Sequence, residues 1–155
     1  MTSSKLAEYP ETVLEFADPA PLTVDLRVPL ATSTRRALAA IGLGAPFAVL
    51  TAENPHGENA EDAPTAGEEA AREVSNERRM SRLERELAAR GVTHRHVDGV
   101  APDGSYRERC VAAVLPRDEA VELARRFGQL ALFWFDGDRF WLMPAEAGGE
   151  PRALP

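Results

Sequence analysis

The chain predicts an α+β fold in which helices cover one face of an antiparallel sheet, and three observations predict it. Residues 47–51, Phe-Ala-Val-Leu-Thr, form a continuous apolar run between Pro46 and Asn54-Pro55, as a strand buried on both faces would. Two later segments carry apolar residues at helical spacing and stop at a glycine: Met80, Leu83 and Leu87 before Gly91, then Ala120, Leu123, Ala124 and Phe127 before Gly128. Two turn signals, Pro102-Asp103-Gly104 and Asp136-Gly137-Asp138, lie between strand-like runs and predict hairpins.

Ahead of the apolar run, residues 12–16 and 22–28 alternate as edge strands do, with Asp18, Pro19 and Pro21 forcing a break between them. Thr32 or Ser33 can cap a short helix through Ile41, which Gly42 is placed to end. Residues 56–74 hold Glu58, Glu61, Asp62, Glu68, Glu69 and Glu73 among small residues. So little apolar surface cannot offset the entropy of ordering, and a mobile acidic loop is expected there, with a helical end as an open alternative. Ser75 can then cap a helix to Arg90, residues 93–97 and 106–115 form the first hairpin, and Asp118 can cap the second helix. Residues 130–135 and 140–143 form the second hairpin.

From Phe47 onward the order is β-α-β-β-α-β with one extra C-terminal hairpin strand, which predicts a ferredoxin-like two-layer sandwich. The chain then divides into an N-terminal extension, 1–45, packed on an α+β core, 46–144, and a flexible tail, 145–155, rich in Gly, Pro and Glu. Both long helices are expected on one sheet face. The other face must be covered by the N-terminal segment, a second subunit or a ligand.

Bulk properties narrow the function classes. With 155 residues, the chain supports one core of ordinary size and not two. Its 18 Lys and Arg against 25 Asp and Glu would repel a phosphate backbone, so no nucleic-acid partner is expected. A single cysteine, Cys110, rules out an internal disulfide and a Cys-rich zinc cluster, and fits a reducing, cytoplasmic location. The N-terminus leads into no apolar run and nothing is long enough to span a bilayer, so no membrane partner is expected.

The predicted crossovers return the chain to one rim of the sheet. Thr51 and Asn54 close the first core strand, Asn76 and Arg79 lie in the first turn of the long helix, Glu108 lies early in the third strand, and Gln129 opens the fourth. Arg79 follows Asn76 by three and precedes Leu83 by four, so both share the inward side of the helix. Glu108 shares strand parity with Cys110 and Ala112, so if Arg107 and Arg109 face outward, Glu108 faces the helices. Two readings follow. Glu108 and Arg79 are a buried ion pair fixing the packing, or they line a small pocket where Arg79 holds an anionic or amide-bearing ligand while Glu108 orients or deprotonates it. In the second reading the acidic loop is the lid.

The same residues carry a resemblance. Residues 51–57, Thr-Ala-Glu-Asn-Pro-His-Gly, then Asn76 with Arg79, Pro102-Asp103-Gly104 with Glu108, and Phe127-Gly128-Gln129 before an aromatic strand resemble the bacterial domain of unknown function family 3293, over about residues 45–143. The resemblance implies a residue pattern without a mechanism. This chain departs from it at Met80, where a second amide is expected, and at Tyr106, where a tryptophan is expected.

Other groupings are weaker. His94, His96 and Asp98 share a strand face, but no third protein ligand is indicated beyond Asp98 or the distant His56, so no metal and no other cofactor is expected. His56 could serve acid/base chemistry beside Glu53, its alternative being a plain loop histidine. Cys110 in mid-strand suits a core position better than a nucleophile. Arg95, Arg107 and Arg109 with Trp134 or Trp141 imitate an RNA-binding sheet, but the aromatic, glycine-rich signature is missing. The aromatics of the terminal hairpin occur on both strand faces, so contact with the N-terminal segment, or a homodimer through that hairpin or the sheet face, is an expectation. A protein-interaction or regulatory module using the open sheet face is therefore the alternative to a ligand site.

Overall fold

The computed structural model describes residues 11–53, 65–146 and 149–155. Among these residues it is an α+β structure with three helices and one curled, antiparallel eight-stranded sheet. The strands are β1 (Val13–Phe16), β2 (Leu22–Asp25), β3 (Phe47–Leu50), β4 (His94–Val100), β5 (Arg107–Ala113), β6 (Ala131–Phe135), β7 (Phe140–Pro144) and β8 (Arg152–Ala153). Across the sheet they run β2-β1-β4-β5-β3-β6-β7-β8. The helices are α1 (Thr32–Ala40), α2 (Ala66–Ala89) and α3 (Arg117–Arg126).

Strand alternation sends side chains to two separate cores. On one face Ala48, Leu50, Val111, Ala113, Leu132 and Trp134 meet Met80, Leu83 and Leu87 of α2 and Ala120, Leu123 and Ala124 of α3. On the other, Phe47, Val49, Ala112, Phe133 and Phe135 meet Leu38 of α1, with Leu14, Phe16 and Val24 from one wing of the sheet and Phe140, Leu142 and Leu154 from the other. Both wings reach one cluster because the sheet curls around α1. The face that needed a cover thus receives it from the N-terminal segment, whose strands join the sheet itself instead of packing outside it.

Several boundaries differ from the sequence reading. Residues 56–64 of the expected acidic loop lie outside the described residues, but 66–74 are the first turns of α2. Ser75 is inside that helix, and Thr65 is its cap, its hydroxyl accepting from the Glu68 N–H at 3.1 Å. Thr65 with Glu68 three later is the capping-box spacing, and Glu68 and Glu69 in the first turn suit the positive end of the helix. The end of that acidic segment, from Ala66, is a helix start. The expected caps at Thr32 or Ser33 and at Asp118 move one or two residues upstream, to Ala31 and Pro116, neither with a side-chain cap bond. The tail also returns: β8 pairs with β7, and Leu154 is 2% exposed.

The aromatics of the β6–β7 hairpin are absorbed by both cores, with Trp141 packed partly buried against the α2–α3 side. Asp136 fixes its turn, accepting from the N–H groups of Asp138 at 2.8 Å and Arg139 at 2.9 Å and from the Trp141 indole at 2.8 Å. Partial burial opposes its charge, but those donors and the Arg139 charge outweigh it and lower its pKa. A depressed folded pKa contributes stability above the ordinary value of 3.8 that is lost as pH falls through the folded one. Asp136 is exposed and water screens its charge, so Asp136→Ala is expected to cost about 0.5 kcal/mol at neutral pH, mostly from the lost turn hydrogen bonds. In thermal melts followed by tryptophan emission, its deficit against wild type should close in acid; a deficit independent of pH would refute the carboxylate's role.

Candidate functional site

The rim is built where β3 ends against the start of β5. Thr51 donates its hydroxyl hydrogen to the Arg109 carbonyl at 2.7 Å and accepts the Glu53 N–H at 3.0 Å, turning the chain inward after the strand. The Ala52 N–H points at the Met80 sulfur at 3.3 Å. Met80 thus closes the backbone at the position where the family pattern suggested an amide, a weak acceptor serving where a carboxamide could have.

Glu53 is the centre of the cluster. It is only 6% exposed, and its carboxylate accepts from Arg109 Nε at 2.5 Å and from the Arg109 backbone N–H at 3.2 Å. Arg109 also pairs with Glu73 of α2 at 2.8 Å. Partial burial works against the Arg109 charge, but the Glu53 hydrogen bond and the charges of Glu53, Glu73 and Glu77 outweigh it and raise its pKa. Gln129 completes the arrangement by donating its amide to the Glu53 carbonyl at 2.9 Å.

Gln129 reaches that carbonyl because of how α3 ends. Gly128, at φ 71°, adopts the left-handed conformation that glycine tolerates, and the Gln129 N–H bonds back to the Ala124 carbonyl at 2.9 Å. This closure aims the residue after the glycine across the end of the sheet.

Of the residues expected at the rim, Thr51 and Gln129 meet through Glu53, and Asn76 lies buried on α2 one turn before Met80. Asn54 and His56 lie outside the described residues. Glu108 does not join them. Cys110, of the same parity, belongs to the α1-side core, so Glu108 faces away from α2 and accepts from the Tyr106 hydroxyl at 2.6 Å. Glu108 and Arg79 are consequently on opposite faces and form no pair. Strand parity holds, but its assignment to the two faces is reversed: Arg107 and Arg109 do not need open solvent, because carboxylates meet them on the α2 side. Arg107 lies between Glu15 at 2.9 Å and Asp98 at 2.6 Å. The residues missed were Glu53 and Arg109, whose pairing spans 56 positions; the only hint was a carboxylate directly after an apolar strand.

The two flanks of α2 differ in charge. Asn76, Met80, Leu83 and Leu87 form its buried stripe. At about 100° per residue, Glu73, Glu77 and Glu84 fall on the flank toward β4 and β5. There Glu73 meets Arg109 and Glu84 meets His96. A shallow groove of about 330 Å³ on that flank is lined by Glu77, Glu84, Asp98 and His96, among others. Arg72, Arg79 and Arg82 fall on the opposite flank, toward α3, where Glu86 pairs with Arg126 at 2.7 Å and Arg82 sits 5.6 Å from the centre of the Phe127 ring. Arg72 and Arg79 are half-buried there.

The remaining candidates have structural surroundings. Burial, and then the Glu108 charge, push the Cys110 thiol well above its ordinary range, so it is no ready nucleophile. Arg95 donates to the Ile41 carbonyl at 2.6 Å, tying β4 to the end of α1. His94 contacts the Val92 carbonyl at 2.9 Å. Among the described residues no group of three His, Cys, Asp or Glu side chains is arranged to hold a metal ion, and no helix is long and apolar enough to cross a membrane.

The model of one family, described as Protein of unknown function (DUF3293), matches residues 50–132, more than half of the chain. No curated protein and no solved structure matches it. The matched span runs from the end of β3 through the start of β6, and so includes every described element of the rim.

Proposed function

The chain belongs to that family of unknown function, so its own residues carry the functional reading, and we propose that the α2 rim binds a small anionic molecule through Arg79. Thr51, Glu53, Arg109 and Gln129 are the scaffold that holds the end of β3 in place, and Asn76 lies buried on α2 one turn before Arg79. The observation that carries this reading is Arg79 itself. It is half-buried on the flank of α2 toward α3, and among the described residues it has no hydrogen-bond or ion-pair partner. A cation withdrawn from water without a counter-charge is costly, and guanidinium geometry matches carboxylate and phosphate. The acidic groove on the other flank would repel the same ligand.

The reading is one of binding and not catalysis, since Glu108, the carboxylate expected to act on the ligand, faces the other side of the sheet. The order β4-β5-β3-β6, with α2 and α3 on one face, supports taking the centre of the molecule as a ferredoxin-like βαββαβ unit, to which β1, β2 and α1 are added at one wing and β7 and β8 at the other. An interaction module on an open sheet face has less support, because α1 and the wings cover that face.

Titration calorimetry with inorganic phosphate tests the site. Saturable binding is expected for the wild type and at least a roughly tenfold weaker response for Arg79→Gln, which as a half-exposed change should shift stability by no more than about 0.5 kcal/mol. Equal binding by the two proteins, or none by the wild type, would remove the proposal.

A further inference from the structure

We propose that the ligand at this rim is a linear polyanion whose second charged group is held by Arg72, an inference that rests on the anion-binding reading above. Arg72 precedes Arg79 by seven residues, two turns, so the two stand one above the other on the same flank of α2. A rise of about 1.5 Å per residue separates their stems by about 10 Å along the axis. Both are half-buried, and among the described residues neither has a hydrogen-bond or ion-pair partner.

Several other arginines of the helix layer are engaged: Arg90 and Arg126 pair with Glu86, Arg125 with Glu122, and Arg82 covers Phe127, while Arg78 and Arg85, which make no ion pair among the described residues, are exposed to water as Arg72 and Arg79 are not. Glu68, one turn before Arg72, and Glu86, two turns after Arg79, are carboxylates on that side, and neither makes an ion pair with Arg72 or Arg79. The chain carries a net charge of -7, so two adjacent uncompensated guanidiniums run against the trend of the whole surface. Long flexible side chains about 10 Å apart at the backbone can close on the two ends of one chain-like ligand, each guanidinium taking a bidentate contact. A single compact anion would satisfy only one of them.

Tripolyphosphate is the probe, compared with orthophosphate by calorimetry at fixed ionic strength. The wild type should bind tripolyphosphate about tenfold more tightly or better. Arg72→Gln should remove that advantage and leave orthophosphate binding unchanged, whereas Arg79→Gln should weaken both. Arg78→Gln, which deletes the same charge from the outer surface of the helix, controls for diffuse attraction. If Arg72→Gln alters tripolyphosphate binding no more than Arg78→Gln does, the two-point site is wrong while the Arg79 site stands. If neither anion binds, both fall.

Discussion

Phe47→Ala is expected to lower the free energy of unfolding by about 4 kcal/mol, the largest single effect in the molecule. Phe47 is fully buried, in β3 near the middle of the sheet, on the face that curls around α1. Its ring centre lies 5.2 Å from that of Phe135 and 5.8 Å from that of Phe140, while Phe135 and Phe140 are 4.9 Å apart. Removing one ring of three leaves a cavity whose walls are strand residues held in register and cannot collapse. The tilted and edge-on ring pairings that Phe47 makes contribute about 1 kcal/mol beyond the buried area. In urea denaturation the midpoint should fall with an unchanged slope, and Phe47→Leu should cost under about 1.5 kcal/mol. A loss below about 1 kcal/mol for the alanine variant would mean that the concave core is not packed as described.

Arg109→Ala is expected to cost about 3 kcal/mol, because it strands the Glu53 carboxylate in a site that is 6% exposed. This lies at the lower end for a broken buried pair, since the Arg109 side chain is itself 41% exposed and water reaches part of it. A double variant separates loss of the pair from abandonment of a charge. Adding Glu53→Gln to Arg109→Ala should recover part of the stability, as a neutral amide is less costly to bury than a carboxylate. If the double variant is less stable than Arg109→Ala alone, the cost does not come from the stranded charge.

The local features of the fold were legible in the sequence and the long-range ones were not. The strand at Phe47, the stripe of Met80, Leu83 and Leu87, and the stops at Gly91 and Gly128 follow from periodicity and glycine geometry, which neighbouring residues determine. The start of α2 was hidden because acidic, small residues suit both a disordered segment and a helix N-terminus, and only the Thr65–Glu68 spacing distinguishes them. The side on which Glu108 lies depended on where the arginines of β5 find counter-charges. Glu53 and Glu15 are those counter-charges, and nothing local announces pairings across 56 and 92 positions. Of the expected rim, Thr51 and Gln129 are brought together, while the residue that joins them, Glu53, stands out in the sequence only as a neighbour of His56.

The attachment of the first two strands has a consequence for how the polypeptide reaches its native state. Leu14 pairs with Gly99, so β1 finds its docking edge only after 85 further residues have been made. Pairings of such sequence separation close late, after the loop entropy of everything between them has been overcome. During synthesis Leu14, Phe16 and Val24 must therefore remain solvent-facing until the β4–β5 hairpin has left the ribosome, a window in which this apolar ribbon is open to chaperones and to mispairing.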